Sequence, residues 1–282
     1  MLRSLFAGIS GMRVNQIMLD VTGNNIANAN TVGFKSSSTV FQDTLSQMLT
    51  AGSAANANRG GTNPIQVGLG VQVGSTSTSF AQGSNQTTGR GTDLMIQGDG
   101  FFVVQNGNQL SYTRAGAFGW DDTRTLVTPG GGRVQGYTTF DAAGNHTGVP
   151  GDITLPTDNG ATPPQQLSSY EIGRDGKVIC TFEDDSKQTI GQVAMADFAN
   201  PMGLSKAGET SFVASASSGT PTVGVSGEGR LGELSPGSLE MSNVDLAAEF
   251  TNLILAQRGF QASSRVITTS DQVLEDLVNI KR

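Results

Sequence analysis

The two ends of the chain place apolar residues at helical spacing, three and four residues apart. At the N-terminal end these residues are Leu2, Leu5, Ile9, Met12, Leu19 and Ile26. At the C-terminal end the longer series consists of Leu246, Phe250, Leu253, Phe260, Ile267, Leu274 and Val278. The pattern predicts a helix at each end. Ser242, with Asp245 three residues later, is the predicted N-cap of the second helix.

The C-terminal series has a second apolar face. It falls almost opposite the first at 100° per residue and consists of Val244, Leu255, Val266, Val273, Leu277 and Ile280. Because a two-helix hairpin buries only one face of each helix, the second face requires further neighbours. These would be either the central region of the chain or other copies of it. A terminal helix buried within its own domain remains the alternative.

The central region is typical of β structure. Asn106-Gly107 and Asp175-Gly176 are hairpin signals between β-rich segments. After the second signal, Val178, Cys180 and Phe182 share one face of a predicted strand, so the cysteine is interpreted as a small core residue. The chain is therefore predicted to have an α+β fold, with a helix at each end and antiparallel strands between them.

The domain boundaries follow from these patterns. Residues 1–30 and 240–282 are assigned to the helical ends, and residues 71–239 to a β-rich domain. Residues 31–70 are polar and glycine-rich, and we interpret them as an extended connector. A mobile linker is an equal alternative for this stretch in an isolated subunit.

Composition excludes several functional classes. The 282 residues carry a formal net charge of −7, which argues against nucleic-acid binding because phosphate contacts need clustered Lys and Arg. A single cysteine excludes a disulfide within one chain. No apolar run approaches the roughly 20 residues that span a bilayer. The apolar run in the opening MLRSLFAGISGM is too short for a signal peptide, so no cleaved signal is expected.

Sequence motifs of catalysis and cofactor binding are weak. Gly227 to Gly232 read GEGRLG and match a dinucleotide-binding pattern, but Pro236 blocks the helix that would receive the pyrophosphate. The single histidine, His146, lies near Asp141 and Asp152 in a turn-rich stretch and is interpreted as an exposed loop residue. We predict no catalytic, cofactor-binding or metal-binding residue, and the chain is not expected to be an enzyme.

Five segments stand out in order along the chain. They are GISGM, GNNIANANTVGFK, TDLMIQGDGFF, YTRAGAF and the C-terminal stretch from LEMSNVDLAAEF onward. Together they resemble the hook proteins within the bacterial flagellar axial rod and hook family. GISGM and AQRGFQASS favour the hook class, whereas distal rod proteins share the Asn-Asn-x-Ala-Asn motif and Ser-Asn-Val. The chain lacks room for the extra outer domains of long hook proteins and is similar to the short ones.

The resemblance implies an architecture for the assembled protein. The helical ends, 1–30 and 240–282, would pair as a coiled coil in the core of a tubular polymer, with the β-rich domain outside. The N-terminal apolar series and the first C-terminal series, together with Val266, Val273 and Leu277 of the second face, would form the polymerisation interface.

The resemblance also implies where the chain leaves the inner helix for the β-rich domain. This helix-to-β connector would consist of Asn24, Asn25, Asn28, Gly33 and Phe34. Asparagine side chains can satisfy backbone groups freed in turns, and Gly33 permits a positive φ.

The implied function is that of a structural subunit of the flagellar hook, a curved tube that transmits motor torque to the filament. The implied partners are copies of the chain, the distal rod protein, the hook cap, the hook–filament junction proteins and the flagellar export apparatus. No cofactor, nucleic acid or membrane insertion is expected, and the location is the flagellum outside the cell. The alternative is a distal rod subunit, and a remote alternative is a secreted glycan-binding or glycan-cleaving β protein.

Overall fold

The structure is a computed structural model that describes residues 2–54, 60–140, 146–158 and 165–280. The chain divides into two compact units. Unit 1 consists of Met1–Ala27, Ser37–Ser79 and Asp245–Arg282, and unit 2 consists of Asn28–Ser36 and Phe80–Val244. The chain therefore passes between the units after residues 27, 36, 79 and 244.

Unit 1 contains both predicted helices and four strands. These elements are α1 (Leu2–Ala27), β1 (Ser37–Asp43), β2 (Ser46–Thr50), β3 (Ile65–Gly68), β4 (Val71–Thr78) and α2 (Leu246–Ile280). Helix α1 continues through Asn24 and Asn25 to Ala27, so the first two asparagines of the segment GNNIANANTVGFK lie inside the helix.

Helix α2 begins later than predicted, and Ser242 is not its N-cap. The carboxylate of Asp245 accepts hydrogen bonds from the amides of Ala247 at 2.9 Å and Ala248 at 3.3 Å. It therefore satisfies amides that have no partner inside the helix, and its charge is favourable at the positive end of the helix dipole. The Ser242 hydroxyl instead accepts a hydrogen bond from the Val244 amide, before the helix starts.

The stretch predicted as an extended connector forms paired strands over much of its length. β1 pairs antiparallel with β4, from Ser37 opposite Thr78 to Asp43 opposite Val71, and β2 pairs with β3. Both β1 and β4 contact α1, and Ser10 Oγ accepts a hydrogen bond from the Val71 amide at 3.3 Å. Polar, glycine-rich sequence is compatible with this arrangement because the ladder satisfies backbone groups whatever the side chains are.

The secondary structure of the described part of unit 2 consists of antiparallel strands and one short 3-10 helix at Pro201–Gly203. The strands are β5 (Asn85–Thr87), β6 (Leu94–Gln97), β7 (Phe101–Asn106), β8 (Gln109–Thr113), β9 (Gly119–Trp120), β10 (Leu126–Val127), β11 (Arg133–Tyr137), β12 (Thr139–Phe140), β13 (His146–Thr147), β14 (Gly151–Asp152), β15 (Leu167–Ile172), β16 (Lys177–Phe182), β17 (Lys187–Val193), β18 (Met195–Asp197), β19 (Ser205–Gly208), β20 (Ser211–Val213), β21 (Thr222–Gly224), β22 (Glu233–Pro236) and β23 (Ser238–Glu240).

The main sheet of unit 2 follows the order β15-β16-β17-β11-β7-β8-β20-β19. Strands β9, β10, β14, β18 and β21 attach to this sheet, while β6 pairs with β22, β5 with β23 and β12 with β13. Both predicted hairpins are confirmed: β7 and β8 pair up to Asn106 opposite Gln109, and β15 pairs with β16. Gly107 and Gly176 have φ of 59° and 78° in these two turns, as the turn geometry requires.

Strand β7 supplies side chains to two hydrophobic clusters because successive residues of a strand point to opposite faces. Phe102 belongs to the cluster that contains Phe118, and their rings meet edge to face at 5.0 Å. Phe101 belongs to the second cluster and meets Phe198 at 5.8 Å. Cys180 is completely buried in the first cluster, which confirms its interpretation as a core residue.

The environment of Cys180 predicts slow thiol chemistry. Burial raises the pKa of its thiol to about 11. At pH 8 we expect a thiol reagent to label the folded protein at least about a hundredfold more slowly than the unfolded chain, because the thiolate is the reactive form. The measurement is the rate of mass increase after addition of the reagent, with and without denaturant.

The same pKa difference sets a pH dependence of stability. An unfolded thiol ionises near pH 9, whereas the buried thiol stays neutral. The free energy of unfolding should therefore fall as the pH rises above that value. Rapid labelling of Cys180 at pH 8, in protein whose Trp120 fluorescence is still that of the folded state, would contradict the burial of the thiol.

Candidate assembly surface

Helices α1 and α2 pack antiparallel, and small residues make their closest contacts. Ser4 Oγ lies 3.3 Å from Ser270 Oγ, and a β carbon on Gly11 would lie 2.9 Å from Ser263 Oγ. We call this contact the helix seam. It consists of Ser4, Gly8, Gly11 and Asn15 on α1 and Gly259, Ser263, Ile267 and Ser270 on α2.

The helix seam joins two segments that carried the family resemblance. GISGM supplies Gly8 and Gly11, and AQRGFQASS supplies Gly259 and Ser263. A search for apolar heptads misses most of these residues because they are small or polar. The signal that identifies them is the spacing of four, three and four residues from Ser4 along α1, which keeps them on one face of the helix.

Of the residues predicted to form the polymerisation interface, Ile267 lies in the helix seam, and most are partly or fully exposed. The partly exposed ones are Leu5, Met12, Leu19, Ile26, Leu253, Ile267 and Leu274. The exposed ones are Ile9, Leu246, Phe250, Phe260, Val266, Val273, Leu277 and Val278. Leu2 begins α1, and its side chain lies outside what the structure describes. The structure thus leaves eight of the fifteen predicted residues whose side chains it describes exposed in the single chain.

Val266 does not lie opposite Ile267 as the sequence analysis had it. The Cγ1 atoms of Val266 and Ile267 would lie 3.6 Å and 3.1 Å from a β carbon on Gly8, so both residues border the helix seam. Consecutive residues of a helix are separated by only about 100° around its axis. The apolar surface that faces away is marked more clearly by Phe6 and Leu255, which are 66% and 61% exposed.

Asn25, one of the predicted connector residues, is a buried hydrogen-bonding centre within unit 1. Its side-chain amide donates to Ser37 O at 2.7 Å and to Glu249 Oε1 at 2.9 Å. Its side-chain oxygen accepts from the Ser37 amide at 3.0 Å. One asparagine therefore joins the end of α1 to the start of β1 and to the first turn of α2.

We expect Asn25→Ala to destabilise unit 1 by about 2–4 kcal/mol, because it removes the hydrogen bonds that this buried side chain makes with the backbone of Ser37 and with Glu249. The measurement is the loss of helical circular dichroism on heating. Asn30→Ala is the matched control because Asn30 is exposed in the same polar stretch, and we expect it to change stability by less than about 0.5 kcal/mol. Equal effects of the two substitutions would contradict a special role for Asn25.

The other predicted connector residues divide between the units. Asn24 is an exposed residue of α1, whereas Asn28, Gly33 and Phe34 belong to unit 2. Gly33 has φ of 67°, its amide donates to Glu240 O at 2.8 Å, and a β carbon there would collide with the backbone of Ala115. Gly33 therefore adopts the positive φ that glycine permits.

His146 is not the exposed loop residue that the sequence suggested. It lies in β13, and its ring is only 4.4 Å from that of Tyr137. Its Nε2 lies 3.9 Å from a carboxylate oxygen of Glu228. Stacking on an aromatic ring explains why the side chain is partly buried.

The remaining candidate motifs do not form a site for chemistry. Asp152 pairs with Arg133 at 2.9 Å, and Asp141 lies outside the described residues. GEGRLG leads into strand β22 instead of the helix that a dinucleotide would need. In the described part of the chain, no group of three or more His, Cys, Asp or Glu is placed to hold a metal ion. No described helix is both long enough and apolar enough to cross a membrane.

Comparison with protein families finds matches at both ends and in the centre of the chain. Residues 5–35 match the model of the flagella basal body rod protein, and residues 95–180 match the flagellar hook protein FlgE/F/G D1 domain. Residues 235–280 match the C-terminal model of the flagellar basal body rod FlgEFG proteins.

Individual relatives extend over the whole chain. The flagellar basal-body rod protein FlgG of Bacillus subtilis is 47% identical over 283 residues, covering both chains completely. FlgG of Caulobacter vibrioides is 35% identical over 97% of each chain. The flagellar hook protein FlgE of Borreliella burgdorferi is 30% identical in an alignment of 441 residues that covers both chains completely. The chain therefore belongs to the flagellar rod and hook protein family, whose members are structural components of the flagellum.

Proposed function

We propose that this chain is a subunit of the flagellar rod that assembles with copies of itself into a tubular polymer. The observation that carries the proposal is the helix pair of unit 1. Its seam is made largely of small residues, so large apolar side chains such as Phe6, Phe250 and Leu255 remain more than half exposed. Large apolar side chains left exposed along both helices are typical of a surface that contacts a partner.

Other exposed apolar residues of unit 1 support the same proposal. Leu45, Met48, Leu49 and Ile65 in and beside strands β2 and β3 are all more than half exposed. Each copy would thus offer apolar surface on its helices and on this strand pair. Contacts between different patches of neighbouring subunits generate a helical polymer when the rotation between subunits does not close into a ring.

Chain length favours the rod over the hook. The alignment with the rod protein of Bacillus subtilis runs over 283 residues, while that with the hook protein of Borreliella burgdorferi runs over 441. The hook protein therefore contains sequence for which this chain has no counterpart. A distal rod subunit, the alternative in the sequence analysis, becomes the first candidate, with other rod and hook proteins as neighbours in the axis.

The hook remains the second candidate because of the similarity to hook proteins over the whole chain. The segments GISGM and AQRGFQASS, on which the hook prediction rested, pack against each other inside one subunit. They therefore carry little information about whether the polymer is straight or curved. A hook role would bring the hook cap and the hook–filament junction proteins as partners.

Electron microscopy of the purified protein, polymerised by salt, tests the proposal. Straight tubes support a rod subunit, and curved tubes support a hook subunit instead. If protein whose unit 2 is folded formed no tubes at all, both the rod proposal and the hook proposal would be overturned. Binding to a glycan panel by the monomer would revive the remote alternative of a glycan-binding β protein.

A further inference from the structure

Three charged side chains are buried together in unit 2. Lys35 Nζ lies 2.5 Å from Glu240 Oε1, and both side chains are completely buried. Arg114 Nη1 lies 3.6 Å from Glu240 Oε2, and its side chain is 3% exposed. A single carboxylate is therefore shared by two cations. We call Lys35, Arg114 and Glu240 the charge clamp.

The charge clamp joins three chain segments of unit 2. Each segment lies next to a point in the sequence where the chain passes from one unit to the other. Lys35 directly precedes Ser36, the last residue before the chain leaves unit 2, and its Nζ also donates to Ala81 O at 2.8 Å. Ala81 lies just after the chain re-enters unit 2 at Phe80. Glu240 lies shortly before the final passage and accepts a further hydrogen bond from the Gly83 amide at 2.9 Å.

Hydrogen bonds around the charge clamp join the same three segments. Asn243 accepts from the Ser36 amide at 2.8 Å and donates to Ala81 O at 3.0 Å. The Met241 amide donates to Ser84 O at 2.9 Å, and the Gly33 amide donates to Glu240 O at 2.8 Å. Residues from the beginning and the end of the chain are thus tied together within unit 2.

We propose that the charge clamp is a positioning device that holds these three segments in one arrangement, and that Glu240 is decisive because it balances two buried cations. A buried ion pair adds little net stability compared with apolar packing, so its effect lies in fixing an arrangement. Removing one partner, however, leaves an uncompensated buried charge, which is costly. The proposal concerns the single chain and does not depend on polymer formation.

The charges of the charge clamp make two single variants distinguishable. With Lys35, Arg114 and Glu240 all ionised, the net charge of the clamp is positive. Glu240→Gln keeps the shape but leaves two like charges together, whereas Lys35→Met leaves a neutral pair of Arg114 and Glu240. Burial lowers the pKa of both Lys35 and Arg114, in keeping with cations that depend on a counter-charge.

Hydrogen exchange of the full-length monomer tests the proposal. In Glu240→Gln we expect the amides of Gly33, Gly83 and Met241 to exchange at least about a hundredfold faster. The amides of Leu126 and Val193, bonded to other parts of unit 2, should change less than about threefold. In Lys35→Met we expect exchange at the amides of Gly33, Gly83 and Met241 to accelerate by less than about tenfold.

The double variant Lys35→Met/Glu240→Gln separates charge balance from packing. It restores the wild-type net charge of the charge clamp. The amides of Gly33, Gly83 and Met241 should therefore exchange more slowly in the double variant than in Glu240→Gln alone. Slower exchange supports the charge clamp, and equal or faster exchange in the double variant would overturn it. If Glu240→Gln unfolds unit 2 altogether, as judged by Trp120 fluorescence, the proposal still requires the double variant to recover the folded state, and failure to do so overturns it.

Discussion

Replacing Gly11 by leucine is expected to prevent α1 and α2 from pairing and to abolish polymerisation, while unit 2 stays folded. A β carbon at this position would already lie 2.9 Å from Ser263 Oγ, and leucine adds three more carbon atoms in the same direction. Overpacking of a close contact costs about 1–3 kcal/mol or more, and a helix pair held by small residues has little apolar area to offset that cost. Loss of helical circular dichroism and of light scattering under polymerising conditions measures the effect.

Gly23→Leu is the matched control for this prediction. Gly23 lies in the same helix, but a β carbon there would meet no atom within 4 Å. We expect Gly23→Leu to leave the helix pair intact or to stabilise it by up to about 1 kcal/mol, because glycine is a poor helix former. Assembly of Gly11→Leu at the normal rate would show that the helices do not need close approach at this point.

A compensating substitution makes the test of the helix seam sharper. Gly11→Ala places only one extra carbon against the hydroxyl of Ser263, so Ser263→Ala should relieve the contact. We expect the double variant to be more stable than the sum of the two single effects, because residues in direct contact are energetically coupled. Independent effects of the two substitutions would argue that the residues do not touch.

The sequence was sufficient to predict the elements whose pattern is local. Helical spacing of apolar residues identified both helices, and the Asn-Gly and Asp-Gly turns identified the two hairpins of unit 2. Alternation identified Cys180 as a core residue. In each case residues close together in the sequence determine the structure. The element can therefore be predicted from its pattern without knowledge of tertiary contacts.

Features that depend on distant residues were not predicted. β1 and β4 pair with each other although β2 and β3 lie between them in the sequence, and no pattern within either strand indicates its partner. The helix seam was missed because close contact between helices selects small residues, while a heptad search looks for large apolar ones. His146 was misplaced because its aromatic neighbour, Tyr137, comes from a different strand.

The small residues of the helix seam and the large apolar residues outside it have one physical explanation. A helix pair that packed Leu, Ile and Phe against each other would bury most of its apolar surface within one chain. Gly8, Gly11 and Gly259 allow the helices to meet without using those side chains. The apolar surface then remains available for contacts with other copies of the chain, which is what a self-assembling subunit requires.

Leu255→Asp is expected to leave the monomer folded and to block its polymerisation. Leu255 is 61% exposed on α2, so the substitution should change the stability of the monomer by only about 0.5 kcal/mol. In the proposed polymer this face is covered by a neighbouring copy, where an unpaired charge costs several kcal/mol. The critical concentration for polymerisation, measured by sedimentation, should therefore rise at least about a hundredfold.

Gln257→Asp adds the same charge to an exposed polar position of the same helix, so it separates the effect of charge from the effect of the apolar face. We expect it to raise the critical concentration much less than Leu255→Asp does, because no apolar contact is replaced. Normal polymerisation of Leu255→Asp would mean that this face stays in contact with water in the tube. The exposed leucine would then have no role in assembly, and other apolar residues, such as Phe6, Phe250 or Leu277, would have to supply the contacts between subunits.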